Sequence, residues 1–188
     1  LATRLSEDAQ RSVLLLEAGP DYPDPTHLPD ELKYDCHQAA SQAGAPHNWS
    51  FLGQATPQQS RPIPVPRGRV VGGTSAINHQ IFLRGPQEDY DGWAALGNDE
   101  WSYRNVLRYF RKSERDLDIQ DEFHGTDGPI PVRRHHREYW VPFQAAFYHA
   151  CLAAGIPDDT DLNHPTSGGV GAFPLNNPDG IRMSTALT

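Results

Sequence analysis

Apolar residues follow two patterns along the chain. Residues 13–16, Val-Leu-Leu-Leu, are an unbroken apolar run that ends in Glu17-Ala18-Gly19-Pro20. A short run without polar alternation predicts a strand buried on both faces, as in a parallel sheet. Before it, residues 1–10 place Leu1, Ala2 and Leu5 on one side and predict the last turns of an amphipathic helix. Further on, Tyr103, Val106, Leu107 and Phe110 recur at helical spacing and predict a helix over 101–114. Ser102 suits its N-cap, and Arg108, Arg111 and Lys112 sit toward the C-terminal end, where cations meet the helix dipole favourably. A second helix is predicted over 142–154, with Phe143, Ala146, Phe147, Ala150, Cys151 and Ala154 as its apolar stripe. Pro142 fits its first turn and Gly155 its C-terminal cap. Both stripes are assigned to packing, and Cys151 to the interior.

Between these elements the pattern breaks up. Residues 20–66 are punctuated by prolines and carry Tyr34, Trp49 and Phe51, which predicts an extended lid or interface segment. Residues 124–132 and 163–179 read as Gly/Pro-rich turns and short strands. With 17 prolines, 16 glycines and only 37% hydrophobic residues, the polypeptide is expected to be folded but loop-rich, with apolar faces that need a partner surface. A net charge of −8 argues against nucleic acid as a partner. The densest basic cluster, Arg133, Arg134 and Arg137 around His135 and His136, is followed by Glu138 and is expected to be a solvated loop face. Cys36 and Cys151 make no metal-ligand spacing and are too few for a disulfide scaffold, although one bridge stays possible. No stretch reaches the length of a membrane-spanning segment. Asn48-Trp49-Ser50 fits the glycosylation sequon, a triplet common by chance.

The chemistry is concentrated in residues 66–78, PRGRVVGGTSAIN. Gly72 and Gly73 let the backbone approach a ligand closely and turn amides toward it. Thr74 and Ser75 add hydroxyls and are placed to cap a helix starting here, whose N-terminus would favour phosphate or an anionic flavin. Arg67 and Arg69 supply positive charge, and Asn78 offers a donor and an acceptor to the edge of an isoalloxazine ring. A tight structural turn before a helix accounts for Gly-Gly-Thr-Ser equally well. Glu17, at the end of the predicted strand, stands where dinucleotide-binding βαβ units carry the acid that accepts from ribose hydroxyls. The glycine loop that normally precedes it would fall before residue 1. An ordinary buried strand with a polar end is the competing reading.

The stretch 68–91, GRVVGGTSAINHQIFLRGPQEDYD, resembles the first signature of the glucose-methanol-choline (GMC) oxidoreductases. LSEDAQRSVLLLEAGPD and NWSFLGQATPQ upstream are similar to the family's first helix end, second strand and Trp-containing segment. DYDGWAALGNDEWSYRNVLRYFRKSE, FHGTDGPIPV and GIRMSTA resemble segments that lie downstream of the signature in that family. The resemblance implies an α/β (mixed α+β) fold: part of a Rossmann-like FAD-binding domain interleaved with part of an antiparallel-sheet substrate domain. On that pattern 1–22 end the first βαβ unit, 23–60 form a lid or interface segment, 61–115 carry the FAD signature and a helix, and 116–188 belong to the substrate domain and a return segment. It also implies a choline dehydrogenase-like activity, with hydride transfer from a small-molecule alcohol to FAD. Glu17 matches the ribose-binding acid, Arg69, Gly72, Gly73 and Thr74 match the loop along the pyrophosphate and flavin, and Asn78 and His79 match positions beside the isoalloxazine.

Two departures qualify this. Some family members attach FAD through a histidine at the position of Ile77, and isoleucine forms no such bond, so the FAD is expected to be non-covalent. The family's catalytic histidine, with its His or Asn partner, lies near the C-terminus of a much longer chain, so none of the nine histidines here is expected to be the base. The adjacent His135 and His136 would point to opposite faces of an extended segment. The expected partners are therefore the remaining segments of the same enzyme, or other chains. Cyanohydrin lyases and flavin photoenzymes share the scaffold, and these readings, like that of a truncated non-catalytic product, stay open at the level of sequence.

Overall fold

A computed structural model describes residues 2–34 and 39–188; Leu1 and Cys36 lie outside them. The chain divides into two compact units, Leu1–Ile77 and Asn78–Thr188.

The first unit contains two short helices, α1 (Ala2–Leu5) and α2 (Asp30–Lys33), and an antiparallel hairpin of β1 (Phe51–Gly53) and β2 (Ile63–Val65). The hairpin register pairs Phe51 with Val65 and Gly53 with Ile63. A small core of Leu32, Ala40, Val70, Ala76 and Ile77 is flanked by Tyr22 and Leu28. Two expectations fail here. The N-terminal helix is one turn long and buries nothing. Residues 13–16 are not a strand, and Leu14 and Leu16 are each 82% exposed. An apolar parallel strand is stable only with hydrogen-bonding neighbours and cover on both faces, and the described residues of this unit provide neither.

The second unit is built on α3 (Gln87–Ala95), α4 (Tyr103–Ser113), α5 (Pro142–Ala153) and a three-stranded sheet ordered β3 (Glu114–Asp116), β4 (Ile130–Arg134), β5 (Pro174–Leu175). β3 and β4 run parallel, and β4 and β5 antiparallel. α4 lies within its predicted span, starting two residues later and ending one earlier, and buries Tyr103 and Val106. Ser102 occupies its N-cap, yet its side chain makes no capping bond; its carbonyl accepts from Asn105 and Val106 instead. α3, which the periodicity does not predict, begins after Pro86, carries Glu88 and Asp89 in its first turn and ends before Gly97 in the left-handed region. Its Tyr90 packs edge-on against Trp93 and Phe110.

α5 has the predicted ends, with Pro142 in the first turn and Gly155 at φ +85° just past it. Its apolar stripe is another correction. Phe143 is 82% and Phe147 61% exposed, Cys151 is only half-buried, and the buried residue of the helix is Tyr148. The stripe borders an open apolar cavity of about 700 Å³ shared with Trp140, Ile156 and Phe173. Tyr148 is preferred in the interior because the Arg137 guanidinium lies 4.5 Å from its ring centroid and Trp140 packs edge-on at 5.3 Å. No helix among the described residues is long and apolar enough to cross a membrane.

Candidate functional site

Residues 66–77 form no α-helix. Gly72 (φ +95°) and Gly73 (φ +56°) are successive left-handed residues, a conformation that costs other L-residues about 1–2 kcal/mol. A single 3-10 turn, Gly73–Ala76, comes next and carries no side-chain cap. The hydroxyls of Thr74 and Ser75 turn back on the loop: Thr74 Oγ1 accepts the Gly68 N–H at 3.2 Å, and Ser75 Oγ donates to the Gly72 carbonyl at 2.5 Å. Gly68 is held against the turn so closely that a Cβ there would stand 2.1 Å from the Gly73 carbonyl oxygen. A Cβ on Gly73, by contrast, would meet nothing within 4 Å. The loop is therefore anchored at Gly68 and has open space beside Gly73, as is also found beside Gly92, Gly97 and Gly155.

The other predicted residues have varied surroundings. Glu17 is exposed, and its Oε1 accepts the Gly19 N–H at 2.8 Å. Arg69 donates from Nη2 to the Pro46 carbonyl at 2.9 Å, with its guanidinium 5.7 Å from the Trp49 ring centroid. Arg67 folds onto the Pro66 carbonyl. Asn78 Oδ1 accepts from the Gln80 N–H at 2.9 Å and from Arg182 Nη1 at 3.1 Å, and Arg182 also donates to the Asn78 carbonyl. His79 is exposed. Glu17, Arg69, Gly72, Gly73 and Thr74 belong to the first unit, and Asn78 and His79 to the second. Ile77 is 3% exposed within the apolar core. Asn48 of the sequon is buried, and its amide donates to the Ser41 and Gln42 carbonyls, so it is not placed as a glycan acceptor.

The second unit holds a buried charge network that the sequence does not announce. Arg134, expected in a solvated loop, is 8% exposed. Its Nη1 meets both Asp116 oxygens at 3.0 and 2.8 Å, and its Nη2 meets Asp161 Oδ1 at 2.9 Å. Arg84 pairs with Glu114 and donates to the Phe123 carbonyl at 3.0 Å. His124, fully buried, places Nδ1 2.8 Å from Asp121 Oδ1 and Nε2 3.5 and 3.7 Å from the Asp161 and Asp116 carboxylates. Burial opposes the charge on His124, but Asp161, Asp121 and Asp116 overcome it and raise its pKa. Burial also opposes the charge on Asp161, yet His124, the Asn163 N–H and Arg134 hold its pKa at about 2. Burial pushes the Glu114 carboxyl up, with Arg84 pulling the other way. Glu114, Asp116 and His124, or Asp121, His124 and Asp161, lie close enough to hold a metal ion. Arg84, Arg134 and an imidazolium at His124 already balance Glu114, Asp116 and Asp161, which favours an ion-pair network.

The sequence profile of the GMC oxidoreductase family matches residues 33–188. The chain belongs to the GMC oxidoreductase family. An uncharacterized GMC-type oxidoreductase of Rhodococcus erythropolis is 42% identical over 187 residues, covering 100% of this chain and 36% of that protein. The oxygen-dependent choline dehydrogenase of Rhizobium etli is 35% identical over 188 residues, covering 99% and 33%. Among solved structures, pyridoxine 4-oxidase from "Mesorbium loti" superposes with a TM-score of 0.85 at 31% identity, covering 100% of this chain and 36% of that one. An FAD-dependent oxidoreductase from Chaetomium thermophilum gives a TM-score of 0.75 at 28% identity, covering 97% and 32%. The chain thus spans about a third of the length of these relatives. The mixed helix-and-sheet, loop-rich architecture is that of the GMC fold, whose N-terminal domain binds FAD. Among the described residues, no side chain or backbone atom blocks approach to Gly73 within 4 Å of a Cβ there.

Proposed function

We propose that this chain is the FAD-holding portion of an enzyme that oxidises the CH–OH group of a small alcohol, with its FAD bound non-covalently. The observation that carries the reading is the Gly72-Gly73 turn, anchored through Gly68 and open on the Gly73 side. FAD, when bound, supplies a two-electron acceptor for the hydride of the alcohol carbon. The Glu17 carboxylate is an acceptor for ribose hydroxyls. Arg69, steadied by Pro46 and Trp49, provides positive charge for the pyrophosphate, and Gly72, Gly73 and Thr74 provide the surface along which the cofactor lies. Asn78 and His79 are assigned to the isoalloxazine by the family pattern. Asn78 is oriented for this by Arg182, which occupies its carbonyl and Oδ1. Ile77 is buried and saturated, which supports the non-covalent assignment. The base that takes the hydroxyl proton is a histidine outside residues 1–188.

The choline dehydrogenase and pyridoxine oxidase relatives make primary alcohols the class to test first. Acid precipitation of the full-length protein should leave the flavin in the supernatant, and anaerobic addition of choline or pyridoxine should bleach its visible absorbance. Flavin retained in the pellet would overturn the non-covalent assignment. A protein whose flavin no alcohol bleaches would overturn the oxidation.

A further inference from the structure

Residues 67–71 are gripped from two directions by segments distant in sequence. From one side, the His47 carbonyl accepts the Arg69 N–H at 2.8 Å, Asn48 Oδ1 accepts the Arg67 N–H at 3.1 Å, and the Trp49 N–H donates to the Arg67 carbonyl at 2.9 Å. From the other, the Pro20 carbonyl accepts the Val71 N–H at 3.0 Å, and Gly19 lies so close that a Cβ would come within 1.8 Å of the Arg69 carbonyl oxygen. The two gripping segments are themselves joined. The Tyr22 hydroxyl is 2.8 Å from His47 Nε2, with the rings edge-on at 5.7 Å. Glu31 Oε1 stands 3.3 Å from His47 Nδ1. His47 is 5% exposed, and the Tyr22 hydroxyl is the hydrogen-bonding partner of its imidazole, while Nδ1 is near Glu31 without a hydrogen bond.

We propose that Tyr22 and His47 are positioning residues: the buried Tyr22–His47 hydrogen bond clamps segments 19–22 and 46–49 onto residues 67–71, fixing Arg69 and the Gly72-Gly73 turn for FAD. This rests on the FAD reading above. His47 sets the carbonyl that holds the Arg69 amide, and Pro46 beside it holds the Arg69 guanidinium. A loosened Tyr22–His47 pair therefore acts on both ends of Arg69. Tyr22→Phe removes one hydroxyl and keeps the ring, so it tests the clamp with little disturbance to the core.

In the full-length, FAD-loaded protein, Tyr22→Phe is expected to weaken FAD binding about tenfold and change the visible circular dichroism of the flavin. Hydrogen exchange at the Arg69 and Val71 amides should accelerate by a similar factor in the FAD-free protein, with 114–116 and 130–134 unchanged. His47→Leu should act in the same direction, and His47→Gln, which keeps an acceptor for Tyr22, should recover most of the loss. Unchanged exchange at Arg69 and Val71 in Tyr22→Phe overturns the clamp. Faster exchange with wild-type FAD affinity and spectrum overturns the positioning role. A wild-type protein that binds no FAD overturns the cofactor reading, and with it the clamp's purpose, whereas the exchange result identifies which of the two failed.

Discussion

His124 Nε2 stands 3.5 Å from Asp161 Oδ2, and the two residues shift each other's titration in opposite directions. The His124 pKa is raised above 6.5, so its contribution to stability is complete below 6.5 and is lost as pH rises through the folded-state value. Asp161 is lowered from 3.8 to about 2, so its contribution is complete above 3.8 and is lost as pH falls toward 2. Glu114 has the opposite sign for a carboxyl: its raised pKa removes stability as pH rises through 4.5. The second unit should therefore be most stable near pH 4 to 4.5, weaken as Glu114 ionises, and weaken further above 6.5 as His124 loses its proton. Urea midpoints measured from pH 3 to 9 test this. In His124→Gln the decline above 6.5 should shrink; an unchanged alkaline limb in that variant would exclude His124 as its source.

Arg134 neutralises Asp116 and Asp161 in the same interior. Arg134→Met keeps much of the volume and leaves both carboxylates without their guanidinium, which should cost about 3–5 kcal/mol in urea denaturation. Arg134→Lys should recover only part of this, because an ammonium cannot reproduce the fork that meets both Asp116 oxygens and Asp161 together. The acid limb assigned to Asp161 should move upward in both variants. A loss below about 1 kcal/mol, the range of surface pairs, would contradict the burial of this network.

These partners show why parts of the molecule are readable in sequence and others are not. Local chemistry is visible: Tyr103 and Val106 define α4, Pro142 and Gly155 bound α5, and Gly72-Gly73 marks the turn. Arg134 reads as a surface residue because Asp116 and Asp161 lie 18 and 27 positions away, and its immediate neighbours are basic or exposed. The Tyr22–His47 pair spans 25 positions and leaves no local signal. The apolar run at 13–16 and the stripe on α5 have the correct composition for burial, but composition does not say what covers them. Whether Glu17, Arg69, Thr74, Asn78 and His79 touch FAD rests on the family pattern, since each is a common residue in an ordinary loop.

The glycine turn separates folding from binding. Gly68→Ala drives a Cβ into the Gly73 carbonyl and should destabilise the first unit by about 2 kcal/mol or more, with FAD affinity falling as a consequence. Gly73→Ala meets open space, so only its backbone strain, about 1 kcal/mol, should reach stability. Its methyl group, however, projects where the cofactor is proposed to lie. Gly73→Ala should therefore reduce FAD affinity by a larger factor than its stability loss accounts for, as read by flavin titration beside thermal melts. Equal losses in both measurements would remove the open face of Gly73 from the site.

The exposed face of α5 yields the last prediction. Phe143 and Phe147 stand largely in solvent beside an apolar cavity, whereas Tyr148 on the same helix is 6% exposed under Arg137 and Trp140. Apolar patches of this kind bind hydrophobic dyes and promote association. In the 188-residue chain, replacing Phe143 and Phe147 with serine should lower anilinonaphthalene sulfonate fluorescence and self-association, and change stability by less than about 1 kcal/mol. Tyr148→Ala should do the reverse, costing about 3 kcal/mol while leaving the dye-binding face in place. If the double serine variant unfolds instead, the stripe on α5 is buried, as its periodicity implies. The arrangement around Tyr148 would then have to give way to one in which Phe143 and Phe147 face the interior.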